Sequence, residues 1–193
     1  MVISSSNNFS RSNLEVLKIS TGNKTKLKRF IQNGQIHIYQ SSYRGSYSSI
    51  IRDSLRNAAI GRKVLLVQFM KGGVKQGIAN AVKLCGNLTW LRSAHSYDQY
   101  HYEEIENNQN LKKSIHESTH ELWNFCKNEL LSGENDQIIL DEIFLALEMK
   151  IIDKDDLIST LENRLISGDV ILTGTNIPKD LLLMANQITE LRS

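Results

Sequence analysis

A chain of 193 residues, 40% apolar and 23% charged, has the length and composition of one globular domain with a single core. A formal net charge of +2 gives bulk electrostatics no reason to expect a nucleic-acid or membrane partner. The two cysteines, Cys85 and Cys126, stand far apart in no metal-type spacing, which suits a reducing cytoplasm. No apolar run approaches the ~18 residues that span a bilayer.

Residues 1–12 are rich in Ser and Asn and lack the apolar stretch of a secretion signal. Residues 1–34 therefore read as a leader, partly disordered or loosely docked, with short helical pieces over 14–19 and 27–31. Lys18, Lys24, Lys26, Lys28 and Arg29 make it locally basic, as either a solvated flank or a polyanion contact. The domain itself begins at Gln35. The alternation of Ile36-His37-Ile38-Tyr39 predicts a strand, and residues 40–46, rich in small side chains, predict a turn. Residues 47–60 read as a helix closed by Gly61. Residues 64–69 are almost wholly apolar, as in a strand buried on both faces. These pieces make one βαβ unit whose first turn lies at a helix N-terminus, where such folds hold phosphates.

Lys71-Gly72-Gly73 ends that strand. A helix is expected over 78–84, stopped at Gly86, then a short strand over 88–91 and a polar loop with a helical piece over 93–110. Residues 111–131 give the clearest helix, because Leu111, Ile115, Leu122, Cys126 and Leu130 share one face and Gly133 follows. Ile138-Ile139-Leu140 is a buried strand ending in Asp141-Glu142. Asp153 caps a helix reaching about Leu165. Val170-Ile171-Leu172 is the next strand, ending in Thr173-Gly174. Asn176 caps a further helix with Pro178 in its first turn, and 187–192 alternates as a final strand. Strands alternating with helices predict an α/β fold, a mainly parallel sheet covered on both faces, with ligands beyond the carboxyl ends of the strands.

Two constellations at those ends carry chemistry. Three apolar residues followed by Asp141-Glu142 match a Walker B strand, whose first carboxylate holds Mg²⁺ directly or through water. The alternative is a strand that happens to end in two acids. The turn over 41–47 follows the end of the P-loop pattern G-x-x-x-x-G-K-[ST], but Ser46 replaces the lysine and Tyr47 the hydroxyl residue, leaving Gly45. Backbone N–H groups and the helix end still suit an anion, with Arg44 for charge and Ser48 for a metal-side hydroxyl. The alternative is a turn that keeps its shape without a nucleotide.

His116-Glu117-Ser118-Thr119-His120 spells H-E-x-x-H, which on a helix puts two imidazoles on one face as zinc requires. Lys112, Lys113 and Glu121 crowd the motif with charge and no third ligand is assignable, so it reads as a solvated helix edge. His37, His95 and His101 have no partner pattern, and Trp90 by itself reads as a core indole.

Together these pieces resemble the P-loop-type cob(I)alamin (corrinoid) adenosyltransferases. Gly61-Arg62-Lys63-Val64 through Val67-Gln68-Phe69-Met70-Lys71-Gly72 is similar to that family's G-K-x-V-x-V-V-Q-F-x-K-G, and Leu88-Thr89-Trp90 to its F-T-W. Ile138 to Glu142 resembles V-V-L-D-E, Val170 to Gly174 resembles V-I-L-T-G, and Ala185 to Arg192 resembles A-D-x-V-[ST]-E-[LM]-R. The order and approximate spacing agree over 35–193.

The resemblance implies a three-layer, P-loop NTPase-like (RecA-like) α/β fold. It also implies a reaction in which cobalt(I) of a reduced corrinoid attacks the 5′ carbon of ATP and triphosphate leaves. Carried over by position, Ser41, Ser42, Tyr43, Arg44, Gly45, Ser46, Tyr47 and Ser48 form the phosphate turn. Asp141 and Glu142 become the catalytic acids, Asp141 and Ser48 the Mg²⁺ (or Mn²⁺) side, and Gln68, Phe69, Thr173 and Gly174 the strand-end residues of the cofactor site. Trp90 becomes a corrinoid-facing aromatic, with Leu88 where the family has the other. Thr175 stands where an arginine usually follows T-G, and the family's P-V-K-H-A-F tail has no counterpart before Ser193. The implied partners are ATP, a corrinoid and a second copy in a homodimer. Two readings follow: an adenosyltransferase of cobalamin biosynthesis or salvage with a divergent ATP site, or a non-catalytic relative that binds a corrinoid, an anion or a protein.

Overall fold

The computed structural model describes residues 34–42, 48–72, 74–95, 107–165 and 167–191, all within the unit that spans 31–193. The helical pieces expected in the leader lie outside the described residues, as do Tyr43, Arg44, Gly45, Ser46 and Tyr47 of the turn.

Seven strands form one sheet, in the order β3-β4-β2-β5-β6-β1-β7. In chain order the elements are β1 (Ile36–Ser41), α1 (Ser48–Ala59), β2 (Val64–Gln68), a single 3₁₀ turn (Ile78–Asn80), β3 (Val82–Leu84) and β4 (Leu88–Arg92). There follow α2 (Gln109–Ser132), β5 (Gln137–Asp141), α3 (Ile143–Glu148), α4 (Lys154–Asn163), β6 (Asp169–Gly174), α5 (Lys179–Met184) and β7 (Gln187–Leu191). Among the described residues every pairing is parallel except β3 with β4.

β2 and β5, whose apolar runs are Val64 to Val67 and Ile138 to Leu140, lie side by side in the sheet and are buried at every position. Successive side chains of a strand point to opposite faces. Val64 and Leu66 accordingly pack with Ile50 and Ala58 of α1. Leu65 and Val67 pack with Leu122 and Trp123 of α2, Phe144 of α3, Leu157 of α4 and Leu181 of α5. Helices on both faces make three layers, as expected.

The connections locate the ligand crevice. The chain leaves β1 for β2 across β6 and β5, while it leaves β6 for β7 across β1 in the other direction. The first crossover carries α1 on one face and the second carries α5 on the other. Strand order thus reverses between β1 and β6, and a cleft opens beyond the carboxyl ends of two such strands.

Two local expectations are corrected. Residues 78–84 do not form a helix: after one 3₁₀ turn, β3 pairs antiparallel with β4 along the sheet edge. Cys85 and Gly86 both take positive φ, 52° and 73°, which is the primed turn that matches strand twist in a tight hairpin. Asn176 does not cap α5. Pro178 takes the cap position at φ −58° and ψ 139°, and its ring keeps the preceding residue out of helical conformation. The Asn176 amide instead donates to the Glu148 carboxylate at 3.3 Å.

Other ends behave as read. The Asp153 carboxylate accepts from the N–H groups of Asp155 and Asp156, and Gly133 closes α2 in the left-handed conformation. Among the described residues no helix is long and apolar enough to cross a membrane.

Candidate functional site

The strand-end acids sit at the centre of a hydrogen-bonded chain drawn from four adjacent strands. Because β5 lies inside the sheet, its last residue, Asp141, is only 2% exposed. Its Oδ1 accepts the Thr173 hydroxyl at 2.7 Å from the end of β6. Its Oδ2 accepts the Gln68 amide at 2.7 Å from the end of β2, and the Lys71 ammonium at 3.0 Å from just beyond it. The Gln68 carbonyl oxygen accepts the Trp90 indole N–H at 3.0 Å, from β4. The Thr173 hydroxyl also accepts the backbone N–H of Glu142 at 2.9 Å.

Glu142 takes the left-handed conformation, φ 60° and ψ 28°, which turns the chain sharply from β5 into α3. A non-glycine residue there costs of order 1–3 kcal/mol, and such strain gathers at functional sites. Its side chain is as buried as that of Asp141, and Lys71 Nζ lies 3.5 Å from its Oε1. One ammonium thus stands between two buried carboxylates. Burying a charge is costly unless it is paired, so this arrangement suits a cation.

The donor chemistry fits Mg²⁺ or Mn²⁺. Two carboxylates and a hydroxyl are hard oxygen ligands. Among the described residues no group of three or more His, Cys, Asp and Glu is arranged to hold a metal.

The rest of the expected site residues fall around this centre. Ser41 ends β1 and is buried, Ser42 follows in an exposed bend, and Ser48 opens α1 on the surface. Phe69 is fully buried in the core, and its N–H donates to the Asp141 carbonyl at 3.1 Å, so it braces β2 against β5. Gly174 lies under α3, where an added Cβ would come 2.7 Å from Phe144. Gln40 and Thr175 border a cleft of about 550 Å³ with Phe144, Glu148, Lys154 and Asn176, at the β1–β6 crevice.

Trp90 is half-buried rather than a core indole. Its N–H is held by Gln68, and the Arg92 guanidinium lies 4.7 Å from the ring centroid in cation–π geometry. Leu88, in contrast, packs into the core with Val64 and Leu66. His116 and His120 stack at 6.3 Å between ring centroids, both exposed, and His120 Nδ1 contacts the Asn124 amide at 3.1 Å. They remain a solvated helix edge. Lys71 and Arg92 stand at these strand ends beside Asp141 and Trp90, and the sequence reading leaves both unassigned, although Lys71 comes three residues after the buried strand β2 ends at Gln68.

Residues 32–193 match the family described as ATP:corrinoid adenosyltransferase BtuR/CobO/CobP. The chain belongs to this ATP:corrinoid adenosyltransferase family. It is 24% identical over 162 residues to the corrinoid adenosyltransferase of Escherichia coli K12, covering 83% of this chain and 78% of that one. The corrinoid adenosyltransferase CobA of Salmonella typhimurium is 23% identical over 169 residues, with the same coverage of 83% and 78%. An uncharacterized protein of Nostoc is 24% identical over 170 residues, covering 82% of this chain but 44% of that longer one. The adenosyltransferase family is of P-loop type, and a mostly parallel seven-stranded sheet between helical layers agrees with it.

Proposed function

We propose that this chain is a cytoplasmic ATP:corrinoid adenosyltransferase whose ATP site departs from the usual P-loop chemistry. It transfers the 5′-deoxyadenosyl group of ATP to the cobalt of a reduced corrinoid. One observation carries the reading: a continuous hydrogen-bonded chain runs from Trp90 through Gln68 and Asp141 to Thr173 and the Glu142 backbone. It joins the strand ends suited to a metal–triphosphate to the aromatic suited to a corrinoid.

The chemistry balances without a further reactant. The cobalt(I) electron pair forms the bond to C5′, the C5′–O bond breaks, and triphosphate leaves with the electron pair of the broken C5′–O bond. Asp141, Glu142 and the Ser48 hydroxyl would hold Mg²⁺, which supplies charge neutralisation for the leaving triphosphate. Thr173 and Gln68 fix the Asp141 carboxylate in one orientation. Trp90, clamped at its N–H, presents its ring toward the corrinoid and keeps water from the reacting face.

The test is turnover with chemically reduced cobalamin and Mg·ATP, followed by the visible spectrum of the cobalt–carbon bond and by released triphosphate. The unaltered chain turns over. Asp141→Ala loses activity by roughly a hundredfold or more, the scale of removing one preorganised electrostatic group. Corrinoid binding without turnover by the unaltered chain would favour the non-catalytic reading, in which Ser46 and Tyr47 mark a site that no longer reacts.

A further inference from the structure

We propose that Lys71 is the cation that meets the triphosphate in this chain. It does the work of the P-loop lysine, whose position Ser46 occupies, and the Asp141 and Glu142 carboxylates hold it in reserve until a metal arrives. This assignment rests on the reading of the site as an ATP site.

Three observations carry it. The Lys71 ammonium lies 3.0 Å from Asp141 Oδ2 and 3.5 Å from Glu142 Oε1, on the carboxylates that would face the metal. Its backbone is anchored: Phe69 and Met70 are fully buried just before it. Gly72, just after it, sits so close to the β4 exit that an added Cβ would lie 2.1 Å from the His95 carbonyl. Its side chain is nevertheless 28% exposed, so it is not sealed into the core with Phe69 and Met70. A lysine is a point charge on a flexible four-carbon stem, able to shift its head by ångströms about a fixed Cα.

Other described cations at this end of the sheet are engaged differently. Arg92 lies over the Trp90 ring. Lys154 is paired with Asp180 at 2.6 Å, beside the β1–β6 cleft.

The two occupants of the carboxylates exclude each other. Asp141 and Glu142 would hold a divalent ion with the carboxylate oxygens that face Lys71, and the ion's charge would disfavour the ammonium there while phosphates beside it would attract it. Lys71 would then turn toward the triphosphate and make a charge-assisted hydrogen bond to it. Signs of the effects follow directly. Removing the ammonium weakens nucleotide binding but strengthens binding of the bare metal ion. A salt bridge serving structure alone would weaken both.

Calorimetry on the full chain reads this out with Mg·ATP, adenosine and Mn²⁺ alone as probes. Lys71→Met is expected to weaken Mg·ATP roughly ten- to hundredfold, the worth of a hydrogen bond to a charged group. It should leave adenosine unchanged and tighten Mn²⁺, and Lys71→Arg should recover most of the Mg·ATP affinity. Lys71→Gln keeps a donor toward Asp141 and gives the same readouts should the Met variant fail to fold. The proposal is overturned if Lys71→Met binds Mg·ATP within about twofold of the unaltered chain, the spread of ordinary context effects. It is equally overturned if Mg·ATP and Mn²⁺ weaken together, or if Arg44→Met carries the nucleotide loss instead. Failure of the unaltered chain to bind Mg·ATP defeats the ATP reading itself, which the Lys71 variants alone could not do.

Discussion

Gln68 serves two partners with one amide, and the partners dictate which way it points. The Asp141 carboxylate only accepts, so it takes the Nε2 group, and the Trp90 indole only donates, so it takes Oε1. A flipped amide would set acceptor against acceptor and donor against donor. Gln68→Leu, similar in size, removes both bonds at once and leaves a buried carboxylate and an indole N–H each short of a partner. A loss of about 1–3 kcal/mol in folding stability is expected, measured by urea unfolding. If the chain of bonds couples the two ends, Gln68→Leu and Trp90→Phe will be non-additive by about 0.5–3 kcal/mol in the double-mutant cycle. Additive losses would mean that the indole and the carboxylate act independently. The place of Asp141 at the end of a buried strand was legible because an acid pair after three apolar residues is a local pattern. Lys71 was not, because what gives it meaning is a carboxylate 70 residues further along the chain, brought close only by the β2–β5 pairing.

Element boundaries divided along the same line. Helices with a local stop or cap, such as α2 at Gly133 and α4 at Asp153, were readable since the signal sits in the segment itself. The β3–β4 hairpin was missed because three residues of mixed character are decided by an edge strand waiting to be paired, which no periodicity reports. The segment after β2 offers a test of how tightly such junctions are built. Gly72 lies against the backbone of Ser93 and His95, so the Cβ of Gly72→Ala meets the His95 carbonyl at 2.1 Å and main chain must move. Overpacking of this kind costs about 1–3 kcal/mol, and against backbone the upper end is expected. Gly77, nearby in sequence, has nothing within 4 Å of its Cβ position, so Gly77→Ala should leave the urea midpoint almost unmoved. Gly72→Ala should also shift the base of the Lys71 stem and weaken Mg·ATP binding, whereas Gly77→Ala should not. Equal midpoints for the two variants would show that the β2 and β4 exits have more freedom than their contact implies.

Across the whole sheet, the layered parallel fold was readable from the alternation of strands and helices, but strand order was not, since it depends on which non-local pairs win. That order places β7 at an edge with β1 as its neighbour, and His37 is part of what joins them. Its Nε2 lies 2.9 Å from the Thr189 hydroxyl, and its ring lies 4.1 Å from that of Tyr39. Burial disfavours the charged ring and pushes the His37 pKa below its usual 6.5. As pH falls past 6.5 the unfolded chain therefore takes up the proton first, and stability declines until the folded-state value is reached. The contribution is complete above that window and lost below it. Urea midpoints should thus drop on moving from neutral pH into the acid side of 6.5, and His37→Gln should flatten that drop. Because the bond ties an edge strand, hydrogen exchange over β7 should quicken before exchange over β2 and β5. A midpoint profile with the same slope in His37→Gln would assign the pH dependence to another group. Early exchange at β7 matters beyond stability: β1 lies between β6 and β7 and ends at Ser41, the first of the residues for which phosphate contact is proposed, so loosening one flank of β1 should also weaken Mg·ATP binding over the same pH range.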